Sequence, residues 1–91
     1  MVYLVVYDLN GDNSNENAII GAIKGLGATN ACLNRALLVD VDCDSGGVYD
    51  VIEPFLKAGD RLFVCPIGKD ASAGRTFRVD NVWGWLHDHS V

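Results

Sequence analysis

The sequence predicts an α+β domain of ferredoxin-like type, βαββαβ, and three observations lead there. Two strongly apolar strands, residues 2–9 and 36–41, each run into a cluster of turn and capping residues followed by an amphipathic helical stripe. A further strand candidate, residues 61–67, contains Pro66, which marks a sheet edge because a central strand needs every amide donor. The order strand, helix, strand, strand, helix, strand is the split βαβ plan. It implies a four-stranded antiparallel sheet of order 4-1-3-2 with both helices on one face. Right-handed crossovers are expected to put the first and third strands side by side and parallel at its centre.

Taken in order, Val2, Leu4 and Val6 alternate with Tyr3, Val5 and Tyr7, so the first strand is apolar on both faces. Asn10 to Asn15 ends it, and Ile19, Ile20, Ala22, Ile23 and Leu26 place a helix over residues 15–26, with Gly27 as its stop. A short second strand fits residues 29–33, and Asn34-Arg35 makes a tight turn into the third strand, whose end is acidic at Asp40. Asp44 to Gly47 starts a second helix with Val48, Val51, Ile52, Phe55 and Leu56 on one stripe, kinked on its solvent side by Pro54. Residues 68–74 read as a mobile polar loop and residues 76–79 as a short fifth strand. Residues 82–86 fit a strand, a helical turn or an extended arm. No internal repeat or linker divides the 91 residues, so residues 1–91 are expected to form a single domain.

Composition bounds the function. A net charge of -5 with only seven basic residues disfavours RNA or DNA as a partner, since phosphate binding rests on Lys and Arg. Lys69, Arg75 and Arg78 fall close together and form the segment an anion would meet. Three unclustered cysteines match neither a disulfide framework nor a CxxC site, and a reducing, cytoplasmic setting follows. No apolar run approaches the ~20 residues that span a bilayer, so no membrane role is expected.

With the first and third strands parallel, Asp8, Asp40 and Asp42 are expected at one edge of the sheet, joined by Asp60 and Arg61. Such an oxygen-rich cluster suits Mg²⁺, Mn²⁺ or Ca²⁺, and a hard metal there could activate water or clamp a phosphodiester, with Mg²⁺ or Mn²⁺ the expected cofactor. Asp8, Asn10, Asp12 and Ser14 have the alternate spacing of a Ca²⁺ loop, but Asn13 stands where glycine is needed and Ile19 where the bidentate Glu belongs, so capping explains them. His87 and His89 make a weak metal pair near the end of the chain. Cys65 reads as a small strand residue. With both helices on one face, the other face of the sheet needs cover, by a homodimer packed through its sheets or by the arm carrying Trp83 and Trp85. The expected interface residues are Tyr3, Val5, Tyr7, Trp83 and Trp85.

The strand Tyr3-Leu4-Val5-Val6-Tyr7-Asp8, the amphipathic helix after it and Asp60-Arg61-Leu62-Phe63-Val64 resemble the small CRISPR-associated second core protein and its ferredoxin-like relatives, among them virulence-associated protein D and the SinR-like proteins. The resemblance implies a homodimer formed through the sheets and, in some members, a metal-dependent nuclease. Carried over, Asp8 becomes the catalytic metal ligand from each subunit, and Lys69, Arg75 and Arg78 the contacts to a phosphate backbone. Where that family commonly places a basic residue at the start of the first helix, residues 10–17 here hold two acids and no base. Two functions are therefore expected in competition: a metal-dependent ribonuclease or phosphodiesterase, and a non-catalytic homodimeric interaction module of the same fold.

Overall fold

The computed structural model describes residues 1–10, 15–68 and 82–89. Its elements are β1 (Val2–Asp8), α1 (Glu16–Lys24), β2 (Ala28–Leu33), β3 (Ala36–Asp40), α2 (Ser45–Ile52), β4 (Arg61–Pro66) and α3 (Val82–Asp88). The sheet order is β2-β3-β1-β4, and the architecture is the ferredoxin-like α+β plan with an added C-terminal helix.

All three strand pairs are antiparallel, including β1 with β3, whose register sets Val2 opposite Asp40 and Val6 opposite Ala36. This overturns the parallel central pair expected from the sequence. A right-handed crossover returns the chain parallel to its starting strand, but it skips one position: β2 is parallel to β1, and β3, reached from β2 by the Asn34-Arg35 hairpin, fills the gap antiparallel to both. Arg35 takes the left-handed conformation, φ 57°, that this tight turn demands.

The pleat divides β1 between two cores. Tyr3, Val5 and Tyr7 are buried with Leu37, Val39, Ile19, Ile23, Val48 and Ile52 in the layer between sheet and helices. They are thus core residues, and the expectation that they form a protein interface is corrected. Val2 and Leu38 lie on the opposite face, packed against Val82 and Leu86 of α3, with Leu4, Cys32, Ile67 and Trp85 around them. The segment read as strand, turn or arm is a helix, and it covers one end of the face for which a second subunit or this same segment had been expected.

Local chemistry explains the boundaries. Asp44 accepts a hydrogen bond from the Gly47 amide at 2.8 Å and caps α2. The α-helix stops at Ile52 and tightens into a 3₁₀ turn over Glu53–Phe55, so Pro54 ends the helix rather than kinking it. Its ring has no N–H for the carbonyl one turn back, and that break is cheapest where a helix is finishing. Gly27 is not the helix cap; Gly25 is. A side chain at Gly27 would run into the Asp40 carbonyl oxygen, so glycine is required by the close approach of the α1–β2 connection to β3. Gly27→Ala is expected to cost about 1–3 kcal/mol through overpacking. Urea denaturation measures it, and an unchanged midpoint would mean that the connection simply yields.

Candidate functional site

The antiparallel register disperses the acidic cluster. Asp8 ends β1 opposite Arg61, whereas Asp40 pairs with Val2 at the other end of that strand, ~20 Å away at about 3.4 Å per residue. Asp42 lies beyond Asp40 in the same direction, exposed. Asp8, Asp40 and Asp42 therefore cannot share one ion within a chain, which corrects the expected three-carboxylate site. Among the described residues no three His, Cys, Asp or Glu side chains are placed to hold a metal. Asp60 lies near Asp8 but is engaged: its two carboxylate oxygens accept from the Asn10 and Lys57 amides, each at 2.8 Å. These bonds hold its carboxyl below the ordinary range and tie the exit of β1 to the entry of β4.

At the Asp8 end a small polar network forms on the rim of the sheet. Tyr7 donates its hydroxyl to Glu16 Oε2 at 2.8 Å. Burial first, and this bond second, push the phenol up to about 12, so it remains a donor at neutral pH. Arg35 reaches both acids, with Nε 3.6 Å from Glu16 Oε2 and Nη1 3.8 Å from Asp8 Oδ1. The Asp8 side chain is still 68% exposed. It borders a shallow hollow of about 260 Å³ lined by Val6, Tyr7, Asp8, Arg61, Leu62 and Phe63. Phe63 is 64% exposed and its cross-strand neighbour Val6 38%, so the part of the open face that α3 does not reach is apolar and uncovered.

The opposite end of the sheet holds a second constellation. His89 Nδ1 lies 2.7 Å from Asp40 Oδ2, and the His89 ring stacks on Trp85 at 4.1 Å between centroids. An ionised carboxylate only accepts, so Nδ1 carries the proton. The terminal amine of Met1 adds a contact at 3.4 Å to Asp40 Oδ1. The bond from His89 and then this amine hold the Asp40 carboxyl below its ordinary value of 3.8, against the opposing effect of burial. A carboxylate whose pKa is lower in the folded state stabilises that state above its unfolded pKa, and the contribution is lost as pH falls through the folded value. Acidification below pH 3.8 is therefore expected to loosen α3, read as a red shift of tryptophan emission, and Asp40→Asn should flatten that acid limb. An identical acid limb in wild type and Asp40→Asn would remove the role assigned to this contact.

Of the other candidates, Trp83 sits exposed on α3 and Trp85 half-buried against His89. The ring of His87 lies 4.0 Å from that of Trp83. Cys65 is a half-buried strand residue. Lys69, Arg75 and Arg78, the fifth strand at 76–79, most of the loop at 68–74, and Asp12 and Ser14 lie outside the described residues. Sequence reasoning missed Arg35, Glu16 and the Asp40–His89 contact. Each depends on a partner elsewhere in the chain, and the exposed face of Phe63 was equally silent, because residues 62–67 are apolar without alternation. No helix among the described residues is long and apolar enough to cross a membrane. In comparisons with known proteins, no protein-family model and no curated protein matches the chain.

Proposed function

We propose that the chain is a self-associating interaction module that works through the β4 side of its open sheet face. The observation that carries this reading is the exposure of Phe63, 64%, beside Val6 on a face that the chain's own α3 covers only in part. A large aromatic left in water at the border of an existing core favours a partner that buries it. Sedimentation of the wild type at micromolar concentration is expected to give a dimer mass, and Phe63→Glu a monomer. A monomeric wild type would overturn the proposal.

The metal-dependent phosphodiesterase is the second reading, favoured by one observation: Asp8 is exposed on the rim of that same hollow. Mg²⁺ and Mn²⁺ sites of this class use one or two protein carboxylates, with water and substrate phosphate as further ligands. Here the protein carboxylate would be Asp8 alone, with water and substrate phosphate completing the shell. The net charge of -5 works against a nucleic-acid substrate. Labelled RNA and DNA incubated with Mg²⁺ or Mn²⁺ separate the readings. Cleavage by wild type but not by Asp8→Ala supports the enzyme, whereas no cleavage, or equal cleavage by both proteins, removes it.

A further inference from the structure

We infer that the partner is a second copy of this chain, joined strand to strand through β4 about a two-fold axis at Phe63, so that two four-stranded sheets continue into one. The inference rests on the self-association reading above and specifies its geometry.

The two edges of the sheet are not equivalent. β2 is one edge, and its ladder with β3 is interrupted between Asn30 and Leu33, an irregularity of the kind that blunts an edge against pairing. β4 is the other, and its register with β1 runs unbroken from Arg61 to Pro66. Among the described residues no strand pairs with its outer side.

Which backbone groups β4 turns outward follows from its ladder. The Ile67 amide donates to the Val2 carbonyl at 2.9 Å, so by alternation Ile67, Cys65, Phe63 and Arg61 direct their backbone groups to β1. Leu62, Val64 and Pro66 direct theirs away. Antiparallel pairing centred on Phe63 sets Leu62 against the partner's Val64, and each such pair exchanges N–H and C=O in both directions. Pro66, which has no donor, then meets the partner's Asp60, whose own N–H is already given to Lys57 O at 3.0 Å. The ladder ends where both strands run out of donors. Centring on Val64 instead sets Leu62 against the partner's Pro66 and loses a donor inside the ladder.

Side chains and charge fit the same register. Phe63 faces the partner's Phe63 as a non-hydrogen-bonded pair, with Cα atoms about 4.5 Å apart, the closest side-chain contact a sheet offers. Val6 of each copy flanks it. Arg61 lies opposite the partner's Cys65, so no like charges oppose each other. In a chain of net charge -5 this surface is also locally balanced, because Asp8 and Arg61 are cross-strand neighbours.

The opposition of residues 61 and 65 makes the register testable by cross-linking. Within one strand they are ~14 Å apart at about 3.4 Å per residue, beyond a disulfide's reach, whereas across the proposed pair they adjoin. Under mild oxidation Arg61→Cys is expected to form a covalent dimer that reductant reverses and that Arg61→Cys combined with Cys65→Ser does not form. Val64→Pro removes an outward donor without touching the β1 ladder and is expected to weaken dimerisation at least tenfold. A wild-type dimer that shows neither the cross-link nor weakening by Val64→Pro overturns edge pairing while leaving self-association standing. A wild-type monomer overturns both.

Discussion

Leu86→Asp is expected to release α3 from the sheet. Leu86 and Val82 are buried against Val2 and Leu38, so the substitution places a carboxylate in an apolar contact with no partner of opposite charge among the residues packed there. Burying such a charge costs more than a seven-residue helix docked mainly by two side chains can return, so the helix leaves rather than the charge entering. Both tryptophans of the chain, Trp83 and Trp85, lie in α3, which makes their emission a specific reporter of its docking. A red shift with little change in the far-ultraviolet signal of the sheet and the other helices is expected, together with new binding of a hydrophobic dye to the uncovered face. Emission unchanged from wild type would show that the tryptophan environment does not depend on this contact.

Ile52→Ala is expected to cost about 2–5 kcal/mol of global stability, the range for deleting a fully buried branched side chain and leaving a cavity. Ile52 has no exposed surface and sits with Val48 at the centre of the layer between α2 and the sheet. Val51, one residue earlier, is 38% exposed, and Val51→Ala should cost well under the Ile52 loss, about 0.5 kcal/mol. Urea denaturation of the two variants tests the assignment of faces on α2. Equal losses would mean that the helix is rotated from the position described.

The helices and strands were largely legible because each carries its own signal. Val48, Ile52 and the cap Asp44 lie within one short stretch, as do the alternating residues of β1, and local propensity and periodicity need no knowledge of the rest of the chain. Pro66 announced an edge strand, and β4 is an edge. The α1 stop was misplaced by two residues because Gly27 has a different task, one set by the carbonyl of Asp40.

The candidate site was far less legible. Its residues were judged by which strand ends meet, and that depends on strand direction, a relation between segments. A single wrong direction, β3 parallel instead of antiparallel to β1, moved Asp40 from beside Asp8 to the far end of the sheet. The contacts that do form there, Arg35 with Asp8 and Glu16 and His89 with Asp40, join residues with no common pattern in the chain.

Composition and periodicity thus determine the number, kind and order of the elements, the apolar character of both faces of β1, and the sheet edge at Pro66. Those properties come from neighbouring residues, whose backbone preferences act over a few ångströms. Which face of β1 belongs to the helices, that α3 closes part of the other, and that Asp8 keeps the expected Arg61 but stands beside Arg35 instead of Asp40 and Asp42 were settled only when the chain closed on itself. Their cause is the hydrogen-bond register of the sheet: shifting or reversing one strand relocates every side chain on it without changing a single local propensity.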